Sequence, residues 1–163
     1  MRALWTVPVT VALDQASKYA IANTMVRGSP ESVLGDLFRL TYIHNRGAAF
    51  GLDIGSPILH TLASIVALGV VVWLLWTCPP HARLLRFALT LVVGGALGNM
   101  IDRFRLGEVI DFLDVGIGTL RWPIFNLADS FVTVGIVLLA VGYSRQKPDR
   151  DETPPTGDSG PDA

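Results

Sequence analysis

Residues Pro57 to Cys78 read PILHTLASIVALGVVVWLLWTC, without one charged side chain. A helix needs about 20 mostly apolar residues to cross the hydrocarbon core of a bilayer, so this stretch predicts a membrane span and sets the class of the whole chain. Two further runs share its character, Leu84 to Ile101 and Asn126 to Tyr143. A fourth, Ala3 to Ala22, is weaker: its apolar run stops at Leu13 and continues Asp14-Gln15-Ala16-Ser17-Lys18. A cleavable signal is the alternative there, with Arg2, a short apolar region and Ala20-Ile21-Ala22 as a cleavage-like site, but Asp14 and Lys18 fit such a signal poorly. The expectation is a helical membrane protein, a four-helix transmembrane bundle with spans at about 3–22, 57–78, 84–102 and 126–143.

Composition is consistent with this class. The chain has 163 residues, 50% of them hydrophobic and 17% charged, enough for one domain over residues 1–145. A net charge of −1 gives no electrostatic footing for nucleic acid. The single cysteine, Cys78, excludes an internal disulfide and reads as a packing thiol. His44, His60 and His81 are scattered and no HExxH occurs, so neither a metal nor another cofactor is expected. Residues 146–163, rich in Pro, Asp, Gly and Thr, predict a disordered tail. In the first connection, 23–56, Leu37-Phe38-Arg39-Leu40-Thr41-Tyr42-Ile43-His44 has the β-branched and aromatic character of a strand, broken by Gly47 and Gly51. This predicts a small extramembrane sheet drawn from that connection. Gly118 to Phe125, with Trp122-Pro123, suits the membrane interface.

Four spans put both termini on one side and the connections 23–56 and 102–125 on the other. Basic residues divide six to seven between the sides, so charge alone does not orient the chain. Arg83 and Arg86 in a very short connection favour termini inside. The threading has a further effect on the polar residues. Two patterns, Asn99-Met100-Ile101-Asp102 and Asn126-Leu127-Ala128-Asp129, close span three and open span four. Asp14, Asn45 and Asp111 fall at the same membrane face, and the inner halves of the spans carry almost no such groups. Carboxylates at the edge of lipid are costly, so their gathering points to proton-transfer chemistry. Asn and Asp at i and i+3 can share one helix face, and Gly94-xxx-Gly98 permits the close helix approach that would bring the two faces together.

Structural roles compete at several of these residues. Asp102-Arg103 can be a local ion pair, Asp14 a satisfied polar contact, and Asp53 and Asp114 solvated loop charges. A Ser17–Lys18 dyad fails because adjacent helix residues diverge by about 100°; Ser130 with Lys18 is the weaker remaining version. For Asp111 with Asp129, chemistry outranks structure. An ion-coupled carrier would need polar groups across the whole bilayer, and a passive scaffold leaves the Asp pair unexplained.

At these residues the chain resembles the lipoprotein signal peptidase family, also called signal peptidase II, the aspartic intramembrane proteases of bacteria. The matching segments are Asp14-Gln15 with Ser17-Lys18, Asn45-Arg46-Gly47-Ala48-Ala49-Phe50-Gly51, Gly94 through Arg103, Val109-Ile110-Asp111-Phe112, and Phe125 through Ser130. They cover residues 14 to 130 in the family's order; the tail after Tyr143 has no counterpart. The resemblance implies a catalytic pair at Asp111 and Asp129, with support from Asp14, Asn45, Asn99, Asp102, Arg103 and Asn126. It also implies cytoplasmic termini, an extracytoplasmic β-cradle from the first outer loop, and a location in the bacterial inner membrane. The implied substrates are prolipoproteins carrying diacylglyceryl on a cysteine, cut just before that cysteine. The implied partners are those substrates and membrane lipid, with the enzyme a monomer.

Overall fold

The computed structural model describes residues 2–47 and 57–144. Ala48-Ala49-Phe50-Gly51, Asp53 and the tail from Gln146 lie outside the described residues. After a 3-10 turn at Arg2–Trp5 come helix α1 (Thr6–Thr24), strands β1 (Pro30–Leu34) and β2 (Phe38–Asn45), helices α2 (Pro57–Thr77) and α3 (Arg83–Leu106), strands β3 (Val109–Ile117) and β4 (Leu120–Arg121), and helix α4 (Leu127–Ser144). Three of the described helices are long and apolar enough to cross a membrane: Ile58–Thr77, Arg83–Leu106 and Leu127–Ser144. The chain is therefore a helical membrane protein with a small sheet. Helix α1 is long enough, but Asp14, Gln15 and Lys18 interrupt its apolar run.

Helix α3 is the centre of the bundle, with Ala88 to Gly95, Gly98 to Met100 and Asp102 all buried. Its glycines let two neighbours approach on different faces. A Cβ on Gly94 would strike the Thr10 hydroxyl, and one on Gly98 would lie 2.5 Å from Asp14 Oδ2, so both glycines admit α1. Gly95 faces the Ala128 carbonyl and Val132 of α4, while Gly135 of α4 rests on the Ala88 carbonyl and Val92. The Gly94/Gly98 pair thus seats α1, and the approach to α4 uses Gly95 and Gly135 instead. Most large side chains of α2 and the outer face of α4, among them Val66, Trp73, Val134 and Val137, are exposed, as suits surfaces solvated by lipid rather than water.

Helix α3 continues past the expected end at Asp102 to Leu106. It stops where Gly107 takes a left-handed conformation (φ 74°) and its N–H bonds the Arg103 carbonyl, a C-cap that glycine adopts without strain. The connection beyond is largely strand. An antiparallel sheet of order β1-β2-β3-β4 forms, pairing Asn45 with Val109 and Ile43 with Asp111. The sheet expected from the first connection alone takes half its strands from the second. Ile21 and Met25 of α1 pack against Ile110 and Phe112 of β3, which fastens the sheet to the end of the bundle. Asp114, expected to be a solvated loop charge, is buried between the Thr41 hydroxyl (2.8 Å) and Arg121 Nε (2.6 Å). Backbone bonds between Leu113 and Phe125 hold the chain against β3 immediately before α4.

Candidate active site

The site forms where α1, α3, the start of α4 and the β2–β3 pair converge. Asn126 lies just before α4 rather than on it. Its Oδ1 accepts the Asp129 N–H (2.9 Å), and its own N–H reaches back to Asp129 Oδ2 (3.2 Å). This reciprocal pair is a capping box, which satisfies helix N–H groups that have no partner in the helix. The two Asn-x-x-Asp patterns therefore differ in kind: Asn99 and Asp102 stand on one turn inside α3, whereas Asn126 and Asp129 cap a helix start.

Amides link the two acidic side chains. Asn126 Nδ2 donates to Asp111 Oδ1 (2.7 Å) and reaches Asn99 Oδ1 (3.0 Å) and the Ile110 carbonyl (3.2 Å). Asn99 Nδ2 donates to Asp129 Oδ1 (2.8 Å). Asn45 Nδ2, arriving on the neighbouring strand, donates to Asp111 Oδ2 (2.9 Å), and Asn45 Oδ1 accepts the Gly47 N–H. Both Asp111 oxygens thus face amide donors, and Asp111 is only 2% exposed. Burial pushes its carboxyl up to about 7, overcoming the Asn45 bond that favours the charged form; the nearby Asp129 charge adds to the rise, and Asn126 opposes it.

Behind this layer lies a buried ion cluster. Lys18, 2% exposed, sits 2.9 Å from Asp14 Oδ2 and 2.8 Å from Asp102 Oδ2, and donates to Asn99 Oδ1 at 2.9 Å. Gln15 Nε2 bridges Asp14, Asp102 and the Gly98 carbonyl. Asp14 Oδ1 accepts the Ala128 N–H, and Asp102 Oδ2 accepts the Ile110 N–H (3.2 Å), so the cluster also ties α4 and β3 to α1 and α3. Lys18 fixes the orientation of the Asn99 amide: with its oxygen turned to the ammonium, its N–H₂ must face Asp129.

All eight residues singled out in the sequence fall in this region. Asp14, Asn45, Asn99, Asp102, Asp111, Asn126 and Asp129 join one hydrogen-bonded network, and Arg103 stands on α3 within electrostatic reach of Asp102, Asp111 and Asp129. Asp102 pairs with Lys18 instead of forming the local ion pair with Arg103. Ser130 Oγ donates to the Asn126 carbonyl, so no Ser–Lys dyad forms. Lys18, weighed only as a partner for serine, and Gln15, quoted only in a matching segment, were left out of the candidate site; the signal for Lys18 was its i,i+4 spacing from Asp14 in an otherwise apolar helix. A cavity of about 520 Å³ opens at Asp129, lined by Val115, Trp122, Phe125, Ser130, Thr133 and Val134. Among the described residues no cluster of metal-ligand type is present.

Comparisons with known proteins agree on one family. The model of the family described as signal peptidase (SPase) II matches residues 6–144. The chain is 46% identical over 141 residues to a lipoprotein signal peptidase of Geobacter sulfurreducens, covering 85% of this chain and 88% of that protein. It is 41% identical over 131 residues to one of Moorella thermoacetica, covering 80% and 85%. Two solved bacterial membrane enzymes superpose with TM-scores of 0.81 and 0.80, at 31% and 33% identity, covering 94% and 90% of this chain and 93% and 94% of theirs.

Proposed function

Since the chain belongs to the signal peptidase II family, we propose that it cleaves the signal peptides of diacylglyceryl-modified prolipoproteins just before the lipidated cysteine, with Asp111 and Asp129 as an aspartic dyad. The observation that carries this reading is the amide bridge: Asn126 and Asn99 join the two carboxyl groups, and a cavity opens at one of them. Two coupled carboxyl groups in a buried site hold one proton between them. Burial raises the Asp111 carboxyl to about 7, which favours Asp111 as the holder of that proton as pH falls below neutral. Asp129, lining the cavity, is the general base that takes a proton from water as the water attacks the scissile carbonyl. Asp111 polarises the carbonyl oxygen, and a carboxyl proton passes to the leaving amine. Asn45, Asn99 and Asn126 orient the carboxyl groups; Asp14, Asp102 and Arg103 support them.

In this reading α1 is a fourth span, its polar side chains turned inward to the ion cluster rather than to lipid, and residues 1–145 form the protease domain. The termini are cytoplasmic, the sheet is an extracytoplasmic cradle, and the enzyme acts as a monomer in the inner membrane of a bacterium. The apolar cavity beside Asp129 suits the apolar part of a membrane-held substrate. The acyl chains of the substrate remain in the bilayer, each buried CH₂ contributing about 0.8 kcal/mol, so a lipidated precursor is strongly preferred over an unmodified one.

The test is cleavage of a diacylglyceryl-modified prolipoprotein by purified protein in lipid, comparing wild type with Asp111→Asn and Asp129→Asn. Wild type cuts before the lipidated cysteine and both folded variants are inert. A folded variant that still cleaves would overturn the dyad, and equal cleavage of unlipidated precursor would overturn the substrate assignment.

A further inference from the structure

Behind the β2–β3 pair, on the sheet face opposite Asp111, lies a second polar cluster that the proposed chemistry does not use. Glu108 follows the Gly107 cap of α3. Its Oε2 lies 2.8 Å from His44 Nδ1, its Oε1 accepts from Arg46 Nε at 2.5 Å, and Arg27 approaches Oε2 at 3.7 Å. His44 Nε2 in turn meets the Tyr42 hydroxyl at 2.7 Å. The two bonds hold the Glu108 carboxyl below the usual carboxylate range, Arg46 contributing most. Side chains alternate across a strand. His44 and Arg46 therefore share the Glu108 face, and Asn45, between them in sequence, projects to the other face, where it donates to Asp111. One carboxylate grips both chain neighbours of the residue that holds a dyad carboxyl.

We propose that Glu108 is a positioning residue for the reaction: by anchoring His44 and Arg46 it fixes the end of β2, and with it the Asn45 amide on Asp111. An isolated surface ion pair of this kind would contribute little. Here the site of action is defined. The Asn45–Val109 pair is the last of the β2–β3 register, so beyond it side-chain contacts rather than ladder bonds must hold β2 to β3. The Glu108 carboxylate bonds His44 and Arg46 rather than Asp111 or Asp129, and acts through the backbone of residues 44–46.

The inference rests on the proposed peptidase reading, and the test separates the two with one measurement that needs no substrate. Amide hydrogen exchange compares wild type, Glu108→Ala and Glu108→Gln in lipid. Faster exchange at residues 45–47 in Glu108→Ala, with Glu108→Gln between it and wild type because one of two acceptors remains, supports the anchor; unchanged exchange in Glu108→Ala overturns it. In the cleavage assay, Glu108→Ala lowers kcat by about tenfold with KM within about twofold, the pattern of lost positioning rather than lost binding. On an Asn45→Ala background, Glu108→Ala costs nothing further, because the residue it acts through is gone. A loss that adds in full on that background, or kcat unchanged in Glu108→Ala, overturns the inference. Wild type inert on the lipidated precursor would instead count against the peptidase reading and leave the exchange result to decide the anchor.

Discussion

Lys18→Met isolates the ion cluster behind the proposed dyad. The ammonium is 2% exposed and contacts two carboxylates and one amide oxygen, all within 2.9 Å. Methionine keeps most of the length of the side chain and removes its charge. The cluster of Asp14, Lys18 and Asp102 then changes from one net negative charge to two, with both carboxylates buried and without the ammonium between them. Removing one partner of a buried ion pair costs about 3–5 kcal/mol. At about 2–4 °C per kcal/mol for a chain of this size, the thermal midpoint falls by roughly 10 °C. The double variant Lys18→Met/Asp102→Asn restores one net negative charge and recovers part of that loss. Its midpoint therefore lies above that of the single variant, although it carries one substitution more. Cleavage remains impaired in both, since the Asn99 amide loses the cation that fixes its orientation. The assay is thermal unfolding of purified protein in one detergent, followed by single-turnover cleavage. A midpoint loss in Lys18→Met equivalent to less than about 1 kcal/mol would refute the cluster as a stabilising element. A double variant less stable than the single would refute the charge argument.

Two further outcomes follow from the same geometry. Because the proposed mechanism needs Asp111 protonated, and its carboxyl is raised to about 7, kcat falls on an alkaline limb near that pH. Asn45→Ala removes a bond that favours the ionised form, so the Asp111 pKa rises further and the limb moves to higher pH; a limb that stays put or moves the other way contradicts this assignment. Gly98→Ala puts a methyl 2.5 Å from Asp14 Oδ2, where α1 and Lys18 must shift together. It lowers stability by about 1–3 kcal/mol, measurable as a reduced unfolding midpoint, while an alanine on Gly69, with nothing within 4 Å, leaves the midpoint near wild type.

How much of this was legible in the sequence depended on how local the cause is. The apolar run at Pro57 to Cys78 needs no partner to read as a helix, and α2 covers Pro57–Thr77. The strand character of Leu37 to His44 is also local, and β2 covers Phe38–Asn45. Strand β3 escaped because Asp111 and Asp114 interrupt its apolar pattern, and the partners that satisfy it, Asn45 and Thr41, lie far away in the chain. Lys18 escaped for a similar reason. Only Asp14 is near it in sequence, while Asp102 and Asn99 are brought to it by glycine-mediated packing of α1 on α3. The spacing of Asn126 and Asp129 was visible, but spacing alone does not distinguish two residues on a helix face from a helix cap. That distinction depends on where Phe125 is pinned to β3.

The strand pairing that joins Asn45 to Asp111 also sets an order of assembly. Asn45 is made early, Asp111 only after α3, and Asn126 with Asp129 later still. A nascent chain that has emerged only as far as residue 125 contains Asp111 but neither the amide that bridges it nor its acidic partner. In the proposed mechanism, peptide-bond hydrolysis therefore waits for residues beyond 125. The proposed site is complete only once the first turn of α4 has joined α3 and β3.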